Sequence, residues 1–149
     1  PTFNRLHERE LYAYIYGYVK NKNCFLYRIN GVENHLHLLS DLHPSIALAD
    51  YIRDMKASSS FWMKNSGKFP GFVGWCSGYA AFTYAWKEKD RIVAYIKRQK
   101  EHHGRVTFED ELRRMLREQG GIVDERFFPC VSRLFREFPA FSVSFTHGY

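Results

Sequence analysis

A change of period constrains the fold of this chain more than any other feature. From Asn4 to about Lys22, the residues Leu11, Tyr14, Ile15, Tyr18 and Val19 recur every three or four positions, as on a helix with one apolar face. After the polar break at Asn21 to Asn23 the period falls to two. Cys24 to Ile29 reads as a short strand, Asn30-Gly31 as a tight turn, and His35-Leu36-His37-Leu38-Leu39 as the paired strand. Alternation sets His35, His37 and Leu39 on one face of that strand and Leu36 and Leu38 on the other. Helical spacing returns from Pro44 through Ile46, Ala49, Ile52, Met55 and Trp62 to about Lys64. Residues 65–78 are rich in glycine and aromatics and read as loop, and Ala80 to Ala85 reads as a strand. Lys87 to about His103 is helical through Ile92, Val93 and Ile96. Thr107 to Gln119 is a further helix, with Thr107 as its cap, Glu109, Asp110 and Glu111 in its first turn and Gly120-Gly121 past its end.

Helix, strand, strand, helix, strand, helix is the order of an α+β fold, an antiparallel sheet with helices packed on one face. Three short strands make a thin sheet, and a fourth is expected ahead of Pro1. Beyond Asp124 the chain is aromatic and is assigned no structure. A length of 149 residues suits one domain, and 45% hydrophobic content supplies its core, excluding a disordered tail or a collagen-like fibre. No apolar run approaches the roughly 18 residues of a membrane span, and no secretion signal opens the chain. Cys24, Cys76 and Cys130 have neither zinc-site nor disulfide-scaffold spacing, so reduced, buried thiols are expected. The expectation is a soluble, cytoplasmic protein.

His35 and His37 point the same way from one strand, near enough for both imidazoles to ligate one cation. Such pairs also arise by chance on polar strand faces. Tyr95 and Gln99 stand one turn apart on their helix, at the edge of the Ile92/Ile96 stripe, followed by His102 and His103. The bland alternative is an ordinary amphipathic helix. A mechanism joins the two elements. A neutral phenol, with a pKa near 10, attacks a phosphodiester only if a cation polarises the phosphate. Two histidines and the side-chain oxygen of Gln99 would hold a divalent ion, Mg²⁺ or Mn²⁺, leaving positions for phosphate and water. Attack by Tyr95 would give a covalent phosphotyrosine and release a DNA 3′-hydroxyl.

Four blocks in order carry a resemblance: Asn34-His35-Leu36-His37-Leu38-Leu39, the Pro44 to Ser60 segment with Asp50, Arg53, Lys56 and Ser58-Ser59-Ser60, Gly78-Tyr79-Ala80-Ala81-Phe82, and Tyr95 to His103. From about Leu11 to Arg126 the chain resembles the single-tyrosine HUH transposases of the insertion-sequence 200/605 and REP-associated class. The resemblance implies a ferredoxin-like or RRM-like domain over residues 1–126 and a C-terminal extension over 127–149. It implies cleavage and rejoining of single-stranded DNA at hairpin-marked ends through a 5′-phosphotyrosine. It places His35, His37 and Gln99 on the metal and Tyr95 as the nucleophile. A homodimer is expected, because insertion-sequence members serve the histidines of one subunit with the tyrosine helix of the other, whereas REP-associated members can act as monomers. The residue before the histidine pair, commonly Asp in that class, is Asn34. Members usually begin with a long central strand, which residues 1–10 do not supply. The alternative function is a catalytically inactive DNA-hairpin-binding protein derived from such an enzyme.

The net charge of +6 is local: residues 1–40 contribute +2, 41–100 contribute +5 and 101–149 contribute −1. Arg53, Lys56, Lys64, Lys87, Arg91 and Arg98 in the middle segment are candidates for DNA phosphates, although any one of them can be a plain solvated charge. Phe69, Phe72 and Trp75 are read as core sooner than as base-stacking rings. No Walker loop, nucleophile elbow or carboxylate cluster of a two-metal nuclease is present in the sequence.

Overall fold

The computed structural model describes residues 5–32, 35–102, 106–121 and 140–147. The protein is α+β. Its elements are α1 (Glu8–Asn21), β1 (Leu26–Val32), β2 (His35–Ser40), α2 (Leu48–Ser66), β3 (Ala80–Ala85), a short 3-10 turn (Trp86–Glu88), α3 (Lys89–Lys97), α4 (Gln99–His102), α5 (Phe108–Glu118) and β4 (Ala140–His147).

Helix α1 buries Leu11, Ile15 and Val19, one residue per turn on a single face. It stops where Asn23 turns left-handed at φ 56°, so that the Cys24 N–H closes back on the Val19 carbonyl at 3.1 Å. Helix α2 starts at Leu48, four residues past the expected Pro44, because residues 43–46 form a turn closed by the Ile46 N–H on the His43 carbonyl. It buries Tyr51, Ile52, Met55, Ser59 and Met63 and ends at Gly67, whose φ of 69° suits glycine.

The turn expected at Asn30-Gly31 is corrected by the structure. β1 continues through both residues to Val32, which pairs with His35 across a two-residue connection outside the described residues. Gly31 serves close approach, since a Cβ there would lie 3.2 Å from Tyr12 Oη and 3.3 Å from Leu36 Cδ1. The hairpin β1/β2 is antiparallel, as expected.

The fourth strand among the described residues comes from the C-terminal segment. Strand order is β1-β2-β4-β3, so β4 occupies an interior position, with Val143 opposite Leu38 on one side and Ala81 on the other. Its sequence does alternate: Phe141, Val143 and Phe145 interleave with Ser142, Ser144 and Thr146. β4 runs parallel to both neighbours, which makes the sheet mixed where a wholly antiparallel one was expected. β2 and β3 run in the same direction, with α2 as the crossover between them. A strand between them must therefore match both or oppose both, and β4 matches both.

Alternation on β2 sorts the molecule into two cores. Leu36 and Leu38 pack with α1, α2 and the loop residues Phe69 and Phe72. Leu39 packs with Phe82 and Tyr84 of β3, Ile92 and Ile96 of α3, and Phe108, Leu112 and Met115 of α5. Helices thus stand on both faces, the long pair α1/α2 on one and α3 with α5 on the other. Trp75 also packs inside, its indole N–H donating to Ser59 Oγ at 3.0 Å, so the loop aromatics are core.

Because β4 carries ladder bonds on both edges, Val143→Pro removes a donor inside the sheet and drives a ring against a neighbouring strand. The expected loss is about 2 kcal/mol or more, read by thermal melting as a fall of roughly 4–8 °C. An unchanged melting temperature would mean that β4 is not held in the sheet.

Candidate active site

The histidine face of β2 turns inward. His35 is 0% and His37 3% exposed, with ring centroids 4.9 Å apart and planes at 84°. The element that covers them is α5. Thr107 Oγ1 accepts from the Asp110 N–H at 3.2 Å and fixes the start of that helix, while Leu112 and Met115 anchor it in the second core. Phe108 then lies 4.4 Å from the His35 ring, centroid to centroid.

One turn beyond Phe108, Glu111 enters the same pocket at 1% exposure. Its Oε2 is 3.6 Å from His35 Nε2 and 3.5 Å from His37 Nε2. Burial alone would raise the Glu111 pKa, but interaction with the two imidazoles outweighs it and holds the carboxyl down at about 2. One donor atom from each of His35, His37 and Glu111 lies within 4.8 Å of the others.

Gln99 is fully buried on the same side, its Nε2 donating to Glu111 Oε1 at 2.8 Å. It reaches that place across a break in the expected continuous helix. α3 ends at Lys97 and α4 begins at Gln99, because Asn30 of β1 donates through Nδ2 to the carbonyls of Ile96 at 2.8 Å and Lys97 at 3.3 Å. Asn30 faces His37 in the β1/β2 ladder. One side chain therefore ties the register of the histidine strand to the end of the tyrosine helix.

Tyr95 is half-buried on α3, its ring centroid 6.2 Å from that of His37 in the same chain. Arg114 of α5 donates through Nη2 to Tyr95 Oη at 3.3 Å and lies 5.7 Å over the ring. The structure thus brings together His35, His37, Tyr95 and Gln99 and adds Glu111 and Arg114. Glu111 had a signal in the sequence, a carboxylate on the Phe108/Leu112/Met115 stripe. Arg114 had none apart from standing one turn from Glu111. His103 lies outside the described residues.

The basic candidates are dispersed. Lys56 is used internally, its Nζ donating to the carbonyls of Cys76, Ser77 and Gly78 at 2.6, 3.3 and 3.0 Å, and burial pushes its pKa down. Arg53 is exposed and bound to Asp50 and Asp54, Arg91 is exposed and bound to Glu88, and the Arg98 Nε lies 3.5 Å from the Ala94 carbonyl. Lys64 and Lys87 are exposed. None of the six touches the histidine pocket in the contacts described above.

A mixed sheet with two buried imidazoles, a carboxylate and a helix-borne tyrosine on one face is the framework of a candidate phosphoryl-transfer centre. The family model of IS200-like transposases matches residues 1–99, two-thirds of the chain, and the chain belongs to that family. No curated protein and no solved structure matches it. As a transposase it acts on DNA, and no described helix is long and apolar enough to cross a membrane.

Asn30→Ala strands two carbonyls at the end of α3 and leaves the Tyr95 helix unpinned. A loss of about 1–3 kcal/mol is expected in a urea melt. A variant as stable as the parent would show that the link carries no load.

Proposed function

We propose that the chain is a metal-dependent single-strand DNA transposase that cleaves and rejoins DNA at hairpin-marked ends, with Tyr95 as the nucleophile. The observation that carries this reading is the convergence of Tyr95 and the His35/His37 pair within one chain. Two buried polar atoms fit a cation there: His37 Nε2 and Gln99 Oε1 have no hydrogen-bond partner. His35, His37 and Gln99 would hold Mg²⁺ or Mn²⁺, which when bound would polarise the scissile phosphate and offset developing charge.

The remaining steps belong to the protein. Arg114, donating to Tyr95 Oη, holds the hydroxyl in place and puts a positive charge where a phosphate must approach. Tyr95 Oη gives up its proton and bonds to phosphorus, the P–O3′ bond breaks, and the departing DNA end takes a proton as its 3′-hydroxyl. The 5′-phosphotyrosine retains the bond energy, so a second 3′-hydroxyl reverses the step without a nucleotide cofactor.

In a homodimer of such chains each subunit uses its own tyrosine. Incubation with a 5′-labelled hairpin-bearing single strand and Mg²⁺ is expected to give a covalent adduct that Tyr95→Phe abolishes. Tight hairpin binding without adduct under any divalent metal would leave the inactive hairpin-binding protein instead. Mixing Tyr95→Phe with a His35→Ala, His37→Ala double variant tests the cis arrangement: no adduct is expected, and restored adduct would establish exchange of tyrosine helices.

A further inference from the structure

Resting on the metal-dependent reading above, we infer that Glu111 is itself a ligand of the divalent ion, joining His35 and His37 directly, with Gln99 setting its orientation. Glu111 lies outside the residues 1–99 that carry the family match and comes from α5, a different element from those bearing the histidines and Gln99.

The first support is geometric. Ligands about 2.1 Å from a shared ion in octahedral arrangement stand about 3.0 Å apart as neighbours and about 4.2 Å apart as opposites. The Glu111 Oε2 distances of 3.6 and 3.5 Å to the two imidazole Nε2 atoms lie a few tenths of an ångström beyond the neighbour spacing, so a small inward shift would bring the carboxylate and either imidazole onto one ion. They are long for a charge-assisted hydrogen bond, which closes to about 2.7–2.9 Å. That spacing leaves the three groups close enough to share a cation.

The second support is charge. Two neutral imidazoles and a carboxamide bring no negative charge to a pocket whose members are 0–3% exposed. A divalent ion there would be buried without a counter-charge, a costly state until a substrate phosphate arrives. Glu111 supplies that charge in the DNA-free protein. The third support is orientation. The Gln99 N–H bond to Glu111 Oε1 at 2.8 Å turns the other carboxylate oxygen, Oε2, toward the histidines, the way an outer hydrogen bond aims a metal ligand.

Calorimetric titration of Mn²⁺ into the DNA-free protein tests the assignment. Glu111→Gln keeps the shape of the side chain and removes its charge, and is expected to weaken Mn²⁺ binding at least about tenfold, with folding checked by melting in EDTA. Equal or tighter binding by Glu111→Gln would overturn the proposal and make the carboxylate a competitor seated against the histidines. If Glu111→Gln does not fold, Glu111→Asp reads the same question: weaker binding supports the ligand role, and unchanged binding overturns it. The His35→Ala, His37→Ala double variant separates the two levels. Loss of Mn²⁺ there with full binding in Glu111→Gln sinks only the Glu111 role, whereas equal binding by the double variant and the parent sinks the metal centre as well.

Discussion

Both faces of β2 are buried, and the rest of the structure follows from that constraint. All six of its residues are shielded from solvent, so each side chain must find a partner layer. The even-numbered leucines take α1 and α2. The odd-numbered positions take α3 and α5, and two of them are histidines. Imidazoles forced into an interior need polar company, and the company present is Glu111 of α5, with Gln99 bonded to it in turn. The chemistry of the site is thus a consequence of sheet alternation.

Two links hold that arrangement in register. Asn30 fastens the hairpin to the end of α3, and β4 fastens the hairpin to β3 by bonding along both edges. Without β4, β3 would have no place in the same sheet as the hairpin. The C-terminal segment is therefore built into the layer that carries the histidines. Because the linker side of α5 leads to β4, the helix that covers the pocket and the strand that closes the sheet belong to one stretch of chain.

Much of this was legible in the sequence wherever period and burial agreed. The meeting of Tyr95 with the histidines came from the chemistry of phosphodiester attack and from the resemblance, which pointed to the tyrosine of another subunit; the α1 stripe, the alternation of His35 to Leu39 and the Thr107 cap all followed from spacing. Three things did not. Asn30-Gly31 has the composition of a turn, yet the pair lies in a strand because Asn30 is needed at the carbonyls of α3 and Gly31 lets Tyr12 approach. Residues 140–147 alternate, but eight such residues do not declare which slot of a sheet they fill, or in which direction. Glu111 sits among acidic neighbours that all suit a helix N-terminus, and although its place on the Phe108/Leu112/Met115 stripe sets it apart from Glu109 and Asp110, spacing does not say that this stripe faces the histidines. Lys56 shows the converse: a lysine in a basic segment is spent on three loop carbonyls, because a half-buried ammonium needs acceptors to replace the water it has lost.

The central claim is that one chain assembles a metal position and its own nucleophile on a single face of the sheet. Anomalous diffraction from crystals grown with Mn²⁺ addresses it most directly. The predicted result is a peak bounded by His35, His37 and Glu111 with Tyr95 of the same chain beside it. A peak away from the histidines, or one approached by Tyr95 of another chain, would contradict it.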